Sequence, residues 1–181
     1  MSTFSNTVAW PVNPARVSLK SVSGAITELV LIGLAIGLPI IAHALAWPVF
    51  ALLPMHWTIL LAGLVYGWKG GLLAGFSAPL ISFAVTGMPM PFVLPMIVVE
   101  VSLYGAVSGL FSRKNAFFGL FAALIVGRVG FAATALLLGR VQGPLMGFIK
   151  NSFTAGVPAA FAQLLILPFI AGMVVSIMNK E

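Results

Sequence analysis

The chain has 181 residues, of which 61% are hydrophobic and only 7% are charged, and its mean hydropathy is +1.15. A soluble core of this size cannot hide so much apolar surface, so a soluble globular protein is excluded and lipid must surround most of the chain. Nine basic residues against three acidic ones would indicate nucleic-acid binding in a soluble protein. Here they stand singly between apolar stretches, which favours membrane orientation and excludes nucleic acid as a partner. The absence of cysteine excludes a disulfide, a thiolate nucleophile and a cysteine-ligated metal.

Six apolar stretches follow one another, and each approaches the length of about 20 residues that a helix needs to cross a bilayer. They cover residues 25–47, 50–67, 70–87, 92–112, 116–139 and 154–178. Pro54 and Pro79 interrupt the second and third stretches, where we expect broken or tilted helices, and residues 139–152 are expected to form a longer loop. The pattern predicts an all-α integral membrane protein with a cytoplasmic segment at 1–24 and a single six-helix transmembrane domain at 25–181.

The basic residues predict the orientation, because short loops rich in Lys and Arg stay on the cytoplasmic side of the membrane. With the N-terminus inside, six basic residues are cytoplasmic: Arg16, Lys20, Lys69, Arg113, Lys114 and Lys180. Only Arg140 and Lys150 then face outward. We therefore expect a multi-pass protein of the cell membrane with both termini in the cytoplasm.

Two charged residues, Glu100 and Arg128, lie deep within the predicted spans. A charged side chain at the centre of a bilayer costs about 2.5–3.5 kcal/mol on insertion scales, so each needs a partner or a function. Both residues lie at similar depth from the outer ends of their helices and can meet across a helix interface. Gln163 falls in the same layer, and Tyr104 shares a helix face with Glu100 at the i, i+4 spacing. These four side chains are candidates for a solute-binding site.

A structural role for the same residues is the alternative. Glu100 and Arg128 can neutralise each other and lock two helices together, while Gln163 satisfies a backbone carbonyl. We favour binding, because helices in a membrane can pack through Gly, Ala and Ser without the cost of inserting charge.

The histidines form a second candidate cluster on the predicted outer side. His43 ends the first span, and His56 begins the second beside Trp57. The two imidazoles lack the i, i+3 or i, i+4 spacing of a helical metal site and have no evident third ligand, so we predict no metal site. We expect His56 and Trp57 to stack on or hydrogen-bond a heteroaromatic solute, with interfacial residues of no special role as the alternative.

The first span carries a ridge of small residues and one acidic residue. Gly33 and Gly37, followed by Ala42 and Ala46, let another helix approach closely, and that helix is either internal or part of a partner subunit. Glu28 lies near the inner surface, where it is expected to cap the helix or to extend its carboxylate to the headgroups.

No catalytic signature is present in the sequence. A Gly-rich phosphate loop, a His-Glu-x-x-His pair and a Gly-x-Ser-x-Gly turn are all missing. We therefore predict that the chain is not an enzyme, has no cofactor and cannot hydrolyse ATP by itself. Active transport would need an ion gradient or another subunit.

The spans resemble the substrate-binding S components of energy-coupling-factor (ECF) transporters, which are also short six-helix proteins with both termini inside. Sparse positions carry this resemblance: Leu53-Pro54-Met55-His56, Gly63, Gly67, Gly70, Gly75, Ser77, Pro79, Leu80, Ser82, Gly87-Met88-Pro89, Glu100 and Tyr104 to Leu110. It covers most of residues 25–178.

The resemblance implies a function that composition does not show. Family members bind a vitamin-like micronutrient in an outward-facing pocket and tilt in the membrane when docked on a transmembrane coupling subunit, which two cytoplasmic ATPases drive. It implies that His56 lies at the loop closing the pocket, that Gly33 and Gly37 dock the coupling subunit in place of the family's alanine motif, and that four residues line the pocket: Glu100, Arg128, Asn151 and Gln163.

Two other functions stay open. A structural or assembly protein would use the Glu100–Arg128 pair only to brace helices. A stand-alone ion-coupled carrier would use Glu100 as its titrating group.

Overall fold

A computed structural model describes residues 17–48, 52–112, 115–141, 143–154 and 156–178. These ranges contain seven helices: α1 Val22–Ala44, α2 Pro54–Tyr66, α3 Trp68–Thr86, α4 Leu94–Phe111, α5 Ala116–Leu137, α6 Leu145–Thr154 and α7 Val157–Met178. The predicted all-helical class is confirmed. The predicted segment 1–24 lies largely outside the described residues, so that domain boundary stays a prediction.

Five stretches are long and apolar enough to cross a membrane: α1, α3, α4, α5 and the stretch Leu145–Met178, which contains α6 and α7. The remaining apolar helix, α2, has 13 residues and a length of about 20 Å, which is shorter than a hydrocarbon layer of about 30 Å. Eleven of its residues are buried. Because α1, α3, α4 and α7 surround it, α2 needs little contact with lipid and forms the centre of the predicted six-helix bundle.

The expected break at Pro54 agrees with the structure: Leu53 has a left-handed backbone with φ 47°, and α2 begins only at Pro54, where the missing proline N–H costs no helical hydrogen bond. Two other local expectations were wrong. Pro79 lies inside an unbroken α3, where it is buried by protein and the disturbed backbone is shielded from lipid. The expected loop at 139–152 contains most of α6, a short amphipathic helix without buried residues.

Helices α1 to α5 alternate in direction, and α7 begins at the end of the bundle where α5 ends, so the bundle has two ends. At the proximal end, where α1 begins, the Val17 N–H donates to the Val65 carbonyl at 3.2 Å, and the Tyr66 hydroxyl lies 4.0 Å from the sulfur of Met178. At the distal end, where α1 ends, the Arg140 guanidinium donates to the Phe92 carbonyl and joins the loop before α4 to the loop after α5.

Backbone contact between glycines brings α2, α3 and α4 together in the proximal half. A Cβ on Gly105 of α4 would collide with the backbone of Gly71 on α3, lying 2.8 Å from its Cα. A Cβ on Gly63 of α2 would collide with the carbonyl of Gly105 in the same way. This close approach fixes the rotation of α4 about its axis, and with it the direction in which Glu100 points.

Candidate functional site

Glu100 of α4 lies inside the bundle, with 2% of its surface exposed. Its Oε1 is 2.9 Å from Nη1 of Arg128 on α5, and the exposed fractions of the two side chains are 3% and 14%. The turn between α4 and α5 supports this pairing, because the Asn115 side chain caps α5 by accepting from the Phe118 N–H at 3.1 Å. The structure therefore joins the two charges as a direct ion pair within the membrane domain.

Tyr104 contacts the Glu100 side of the ion pair. Its hydroxyl donates to Oε1 of Glu100 at 3.0 Å, as the i, i+4 spacing predicts. The ring fits against α5 only because residue 127 is glycine, since a Cβ there would collide with the ring carbons of Tyr104. One carboxylate oxygen thus receives two donors, one from a cation and one from a phenol.

His56 of α2 approaches the other carboxylate oxygen. Its Nε2 lies 3.8 Å from Oε2 of Glu100, which is too long for a hydrogen bond, and its ring centroid is 5.1 Å from that of Tyr104. His56 and Glu100 therefore face each other without a hydrogen bond between them. We call Glu100, Arg128, Tyr104 and His56 the polar cluster.

Several buried polar atoms near this layer have no protein partner. Neither imidazole nitrogen of His56 has a hydrogen bond in the described part of the chain, and neither do the amide oxygen and nitrogen of Gln163 on α7. Gln163 is 0% exposed. Native interiors rarely leave such atoms unpaired, because each one costs about 1–3 kcal/mol. The unpaired atoms of these two buried side chains are each available to a polar ligand or to ordered water.

The depths of these residues agree with one layer. Glu100 and Gln163 are each the seventh residue of their helices, about 9 Å from the distal end, and Arg128 is about 14 Å from the same end. Gly156, just before α7, leaves room for the Arg128 guanidinium, which a Cβ at that position would hit. The helix that carries Gln163 therefore begins directly beside the polar cluster.

A cavity of about 410 Å³ opens at the distal end next to the polar cluster. His56 lines it, together with the end of α1, the end of α3, the loop before α4 and the first turns of α4. The polar side chains on its wall are His43, His56, Ser82 and Thr86. Because His56 lines the cavity and also faces Glu100, its ring lies at the boundary between the apolar cavity and the charged side chains of the polar cluster.

Two predicted site residues lie outside this arrangement. The indole N–H of Trp57 donates to the Leu52 carbonyl at 2.9 Å, so it is used within its own loop. Asn151 is exposed on α6, and in the described ranges no hydrogen bond or ion pair connects it to Glu100 or Arg128. The structure does not bring either residue into the polar cluster.

The predicted docking residues lie on an open face of α1. A Cβ added at Gly33 or Gly37 would meet nothing within 4 Å in the described part of the molecule. Gly33 and Gly37 therefore do not serve close packing with a described helix, and their surface is available to another subunit or to lipid, whereas Ala42 of the same ridge is buried.

Glu28 differs from the prediction that it caps α1 or extends to the headgroups. Ser21 caps the helix instead, accepting from the Gly24 N–H at 3.1 Å. Glu28 is 3% exposed, and its Oε1 lies against Gly70 of α3 in the proximal half. Neither of its oxygens has a hydrogen-bond partner among the described residues.

Sequence reasoning missed the apolar wall of the cavity. The predicted outer cluster of His43 and His56 agrees with the structure, because both side chains line this cavity, but the sequence did not predict that the methionines of the loop before α4 complete its wall. A clustering of Met55, Met88 and Met90 around Pro54 and Pro89 was the available signal.

Comparison with known proteins adds the family. The family model for the ECF transporter substrate-specific component matches residues 27–134, which is more than half of the chain. The chain belongs to this family. No curated protein and no solved structure gives a significant match. As an S component, the chain is the substrate-specific part of a transporter, and the family implies association with ECF transporter modules and with a small-molecule substrate. The apolar helices agree with a multi-pass membrane protein.

The matched region contains the whole polar cluster and every described residue of the cavity wall, but it ends before Asn151 and Gln163. The roles of all these residues stay predictions, since the match concerns the family and not its individual side chains.

Proposed function

We propose that this S component binds a vitamin-like micronutrient with high affinity on the outer side of the cell membrane, at the distal end of the bundle. The observation that carries the proposal is the pair of imidazole nitrogens on His56, which lack a hydrogen bond among the described residues although the ring lines an open cavity and faces Glu100. A ligand that hydrogen-bonds to these atoms would remove their desolvation cost on binding, which favours tight association.

Bracing of helices explains only part of this arrangement. The ion pair between Glu100 and Arg128 would hold α4 to α5 without any ligand. It gives no reason for an unpaired histidine in front of the free carboxylate oxygen, or for an unpaired glutamine on α7. A protein selected only for stability would replace these two residues by apolar ones of similar volume.

The proposed orientation places the distal end outside and both termini in the cytoplasm. Lys20 and Lys69 then lie on the cytoplasmic side with the proximal end, as short basic loops do. The cavity mouth faces the side from which a nutrient arrives.

The energy for uptake would come from other subunits. The chain contains no nucleotide-binding signature, so we infer that it is not an enzyme and that two cytoplasmic ATPases act through a transmembrane coupling subunit. Gly33 and Gly37 form the proposed docking surface, because their open face lets a partner helix approach closely.

A binding screen tests the proposal. The purified protein in lipid nanodiscs is screened by thermal unfolding against the B vitamins, their precursors and modified nucleobases, without ATP. We expect one compound to raise the unfolding temperature and to bind at submicromolar concentration.

A matched pair of variants locates the site. Glu100→Gln should weaken binding of the selected compound at least a hundredfold, because it removes the charge that orders Arg128 and Tyr104. Glu28→Gln is the control: it changes another buried glutamate, which lies in the proximal half, and should leave the affinity unchanged. The proposal is wrong if no compound stabilises the wild type, or if both variants bind like the wild type.

A further inference from the structure

The distal cavity has a chemistry unlike that of the polar cluster beside it. Among the described residues that line it there is no Asp, Glu, Lys or Arg, and apart from two histidines and two hydroxyls their side chains present only carbon and sulfur. A charged group placed there would lose its hydration without finding a counter-charge. The cavity can therefore hold only an uncharged, largely apolar part of a ligand.

Methionines make this wall adaptable. Met55 lines the cavity from the first turn of α2, and Met88 and Met90 line it from the loop before α4. Methionine is unbranched and polarisable, fills irregular gaps and makes favourable contacts with the edges of aromatic rings. Together with the rings of His43 and His56, these side chains suit a flat ring or a compact bicycle better than a sugar or a flexible polar chain.

His56 lies between the cavity and the rest of the polar cluster. Its side chain is 10% exposed, borders the cavity and has no hydrogen bond in the described residues, although Oε2 of Glu100 lies only 3.8 Å from its Nε2. A ligand in the cavity that extends past the His56 ring would meet a hydrogen-bonding nitrogen first and a carboxylate oxygen second.

We infer that the substrate is an amphipathic molecule whose apolar ring system fills the distal cavity and whose head hydrogen-bonds to His56 and to Oε2 of Glu100, the oxygen that faces His56. This inference rests on the proposed function and specifies its substrate class. It also assigns the substrate's ring system to the cavity wall. Of the residues predicted from the sequence to bind substrate, only His56 lines that wall.

The head is an uncharged hydrogen-bond donor. Arg128 already neutralises Glu100, and Tyr104 donates to the same oxygen, so Oε2 can accept a hydrogen bond but has no charge left to balance. A cationic head would compete with Arg128, and an anionic head would be repelled by the carboxylate. A cyclic urea, an imide or a lactam provides N–H donors at a planar edge and meets these conditions.

Two matched pairs of uncharged compounds test the inference: lumichrome with uracil, and biotin methyl ester with 2-imidazolidinone. Within each pair the cyclic urea or imide head is shared and only the larger member carries a ring body. Affinities are measured by calorimetry in nanodiscs. We expect the larger member of at least one pair to bind at least a hundredfold more tightly than its smaller partner.

Variants that fill the cavity provide a second test of the inference. Ile97→Phe places a larger side chain in the cavity wall and should weaken binding of the larger compound at least tenfold. Leu110→Phe, at an exposed position on the same helix, is the control and should change the affinity less than twofold. If Ile97→Phe does not fold, Met90→Phe on the half-exposed loop provides the same test.

The inference is overturned if neither larger compound is preferred, or if filling the cavity leaves the affinity unchanged. A variant that becomes more stable without ligand and binds as before would show that the cavity holds lipid chains instead. In these cases the proposed function survives if a compound from the wider screen still loses binding in Glu100→Gln. If that screen yields no ligand, both fail together.

Discussion

Each half of the bundle buries one glutamate, but the two glutamates differ in their hydrogen-bond partners and in the space beside them. In the distal half, Glu100 is held by Arg128 and Tyr104 and faces an open cavity through His56. In the proximal half, Glu28 lies against Gly70 without a hydrogen bond from any described residue, where glycine contacts bring α2, α3 and α4 together. Burial alone therefore does not indicate a binding site. A binding site also needs ordered polar partners and space for a ligand, and only the distal glutamate has both in the part of the chain described.

The largest expected effect follows from removing the cation. Arg128→Leu leaves an uncompensated carboxylate in the bundle, which should lower the free energy of unfolding by about 3–5 kcal/mol and abolish ligand binding. Chemical unfolding in detergent micelles and a binding assay measure the two effects.

The double variant Glu100→Gln/Arg128→Gln serves as the control for that loss. It removes both charges and should recover most of the stability while binding stays lost. Restored binding in the charge-swapped variant Glu100→Arg/Arg128→Glu would instead favour a purely bracing pair.

A smaller loss is expected in the proximal half. Gly105→Ala forces a methyl group into the backbone of Gly71 and should destabilise the protein by about 1–3 kcal/mol. Gly33→Ala is the matched control, since its methyl group would meet no atom within 4 Å. Thermal unfolding of both variants checks the difference, and equal unfolding temperatures would contradict the packing described here.

Tyr104→Phe should have a moderate effect on binding. It removes one of two donors to Oε1 of Glu100, and a hydrogen bond to a charged group contributes about 1.5–3 kcal/mol. We expect a loss of roughly tenfold in affinity, because that range corresponds to about ten- to a hundredfold and Arg128 still holds the carboxylate. Tyr66→Phe, whose hydroxyl only approaches a sulfur in the proximal half, should bind like the wild type. A loss of the same size in both variants would mean that the halves are not independent.

No effect on binding is expected on the open face of α1. Gly33→Leu and Gly37→Leu should bind ligand normally but reduce ATP-driven uptake in vesicles that contain the complete transporter, since a bulky side chain blocks close helix approach. Uptake by the isolated chain in vesicles without ATPases would contradict the proposed dependence on partners and favour an ion-coupled carrier.

The sequence predicted the helices well where apolar length decides the outcome. A count of apolar residues was enough to predict the stretches that form α5 and α7. The family match agrees with a protein of several membrane spans. The sequence did not predict α6, because a short helix with polar residues on its surface has no apolar run to reveal it. Pro79 was read as a break, although burial by neighbouring helices lets α3 continue through it.

The site was predictable to the extent that it depends on one helix. Tyr104 and Glu100 meet because they are one helical turn apart, and Arg128 meets Glu100 because the two lie at similar depth. The cavity wall depends on how the loop containing Met88 and Met90 folds back towards His43, and no local pattern specifies that path. Asn151 was assigned to the pocket only by resemblance; it is exposed on α6, and its role stays a prediction.

A ligand-bound structure tests the central claim most directly. The compound selected by the binding screen should lie at the distal end, with a hydrogen-bonding atom about 3 Å from His56 or from Oε2 of Glu100 and with the Arg128 ion pair intact. A ligand bound elsewhere, with ordered water on His56 and Gln163, would contradict the claim.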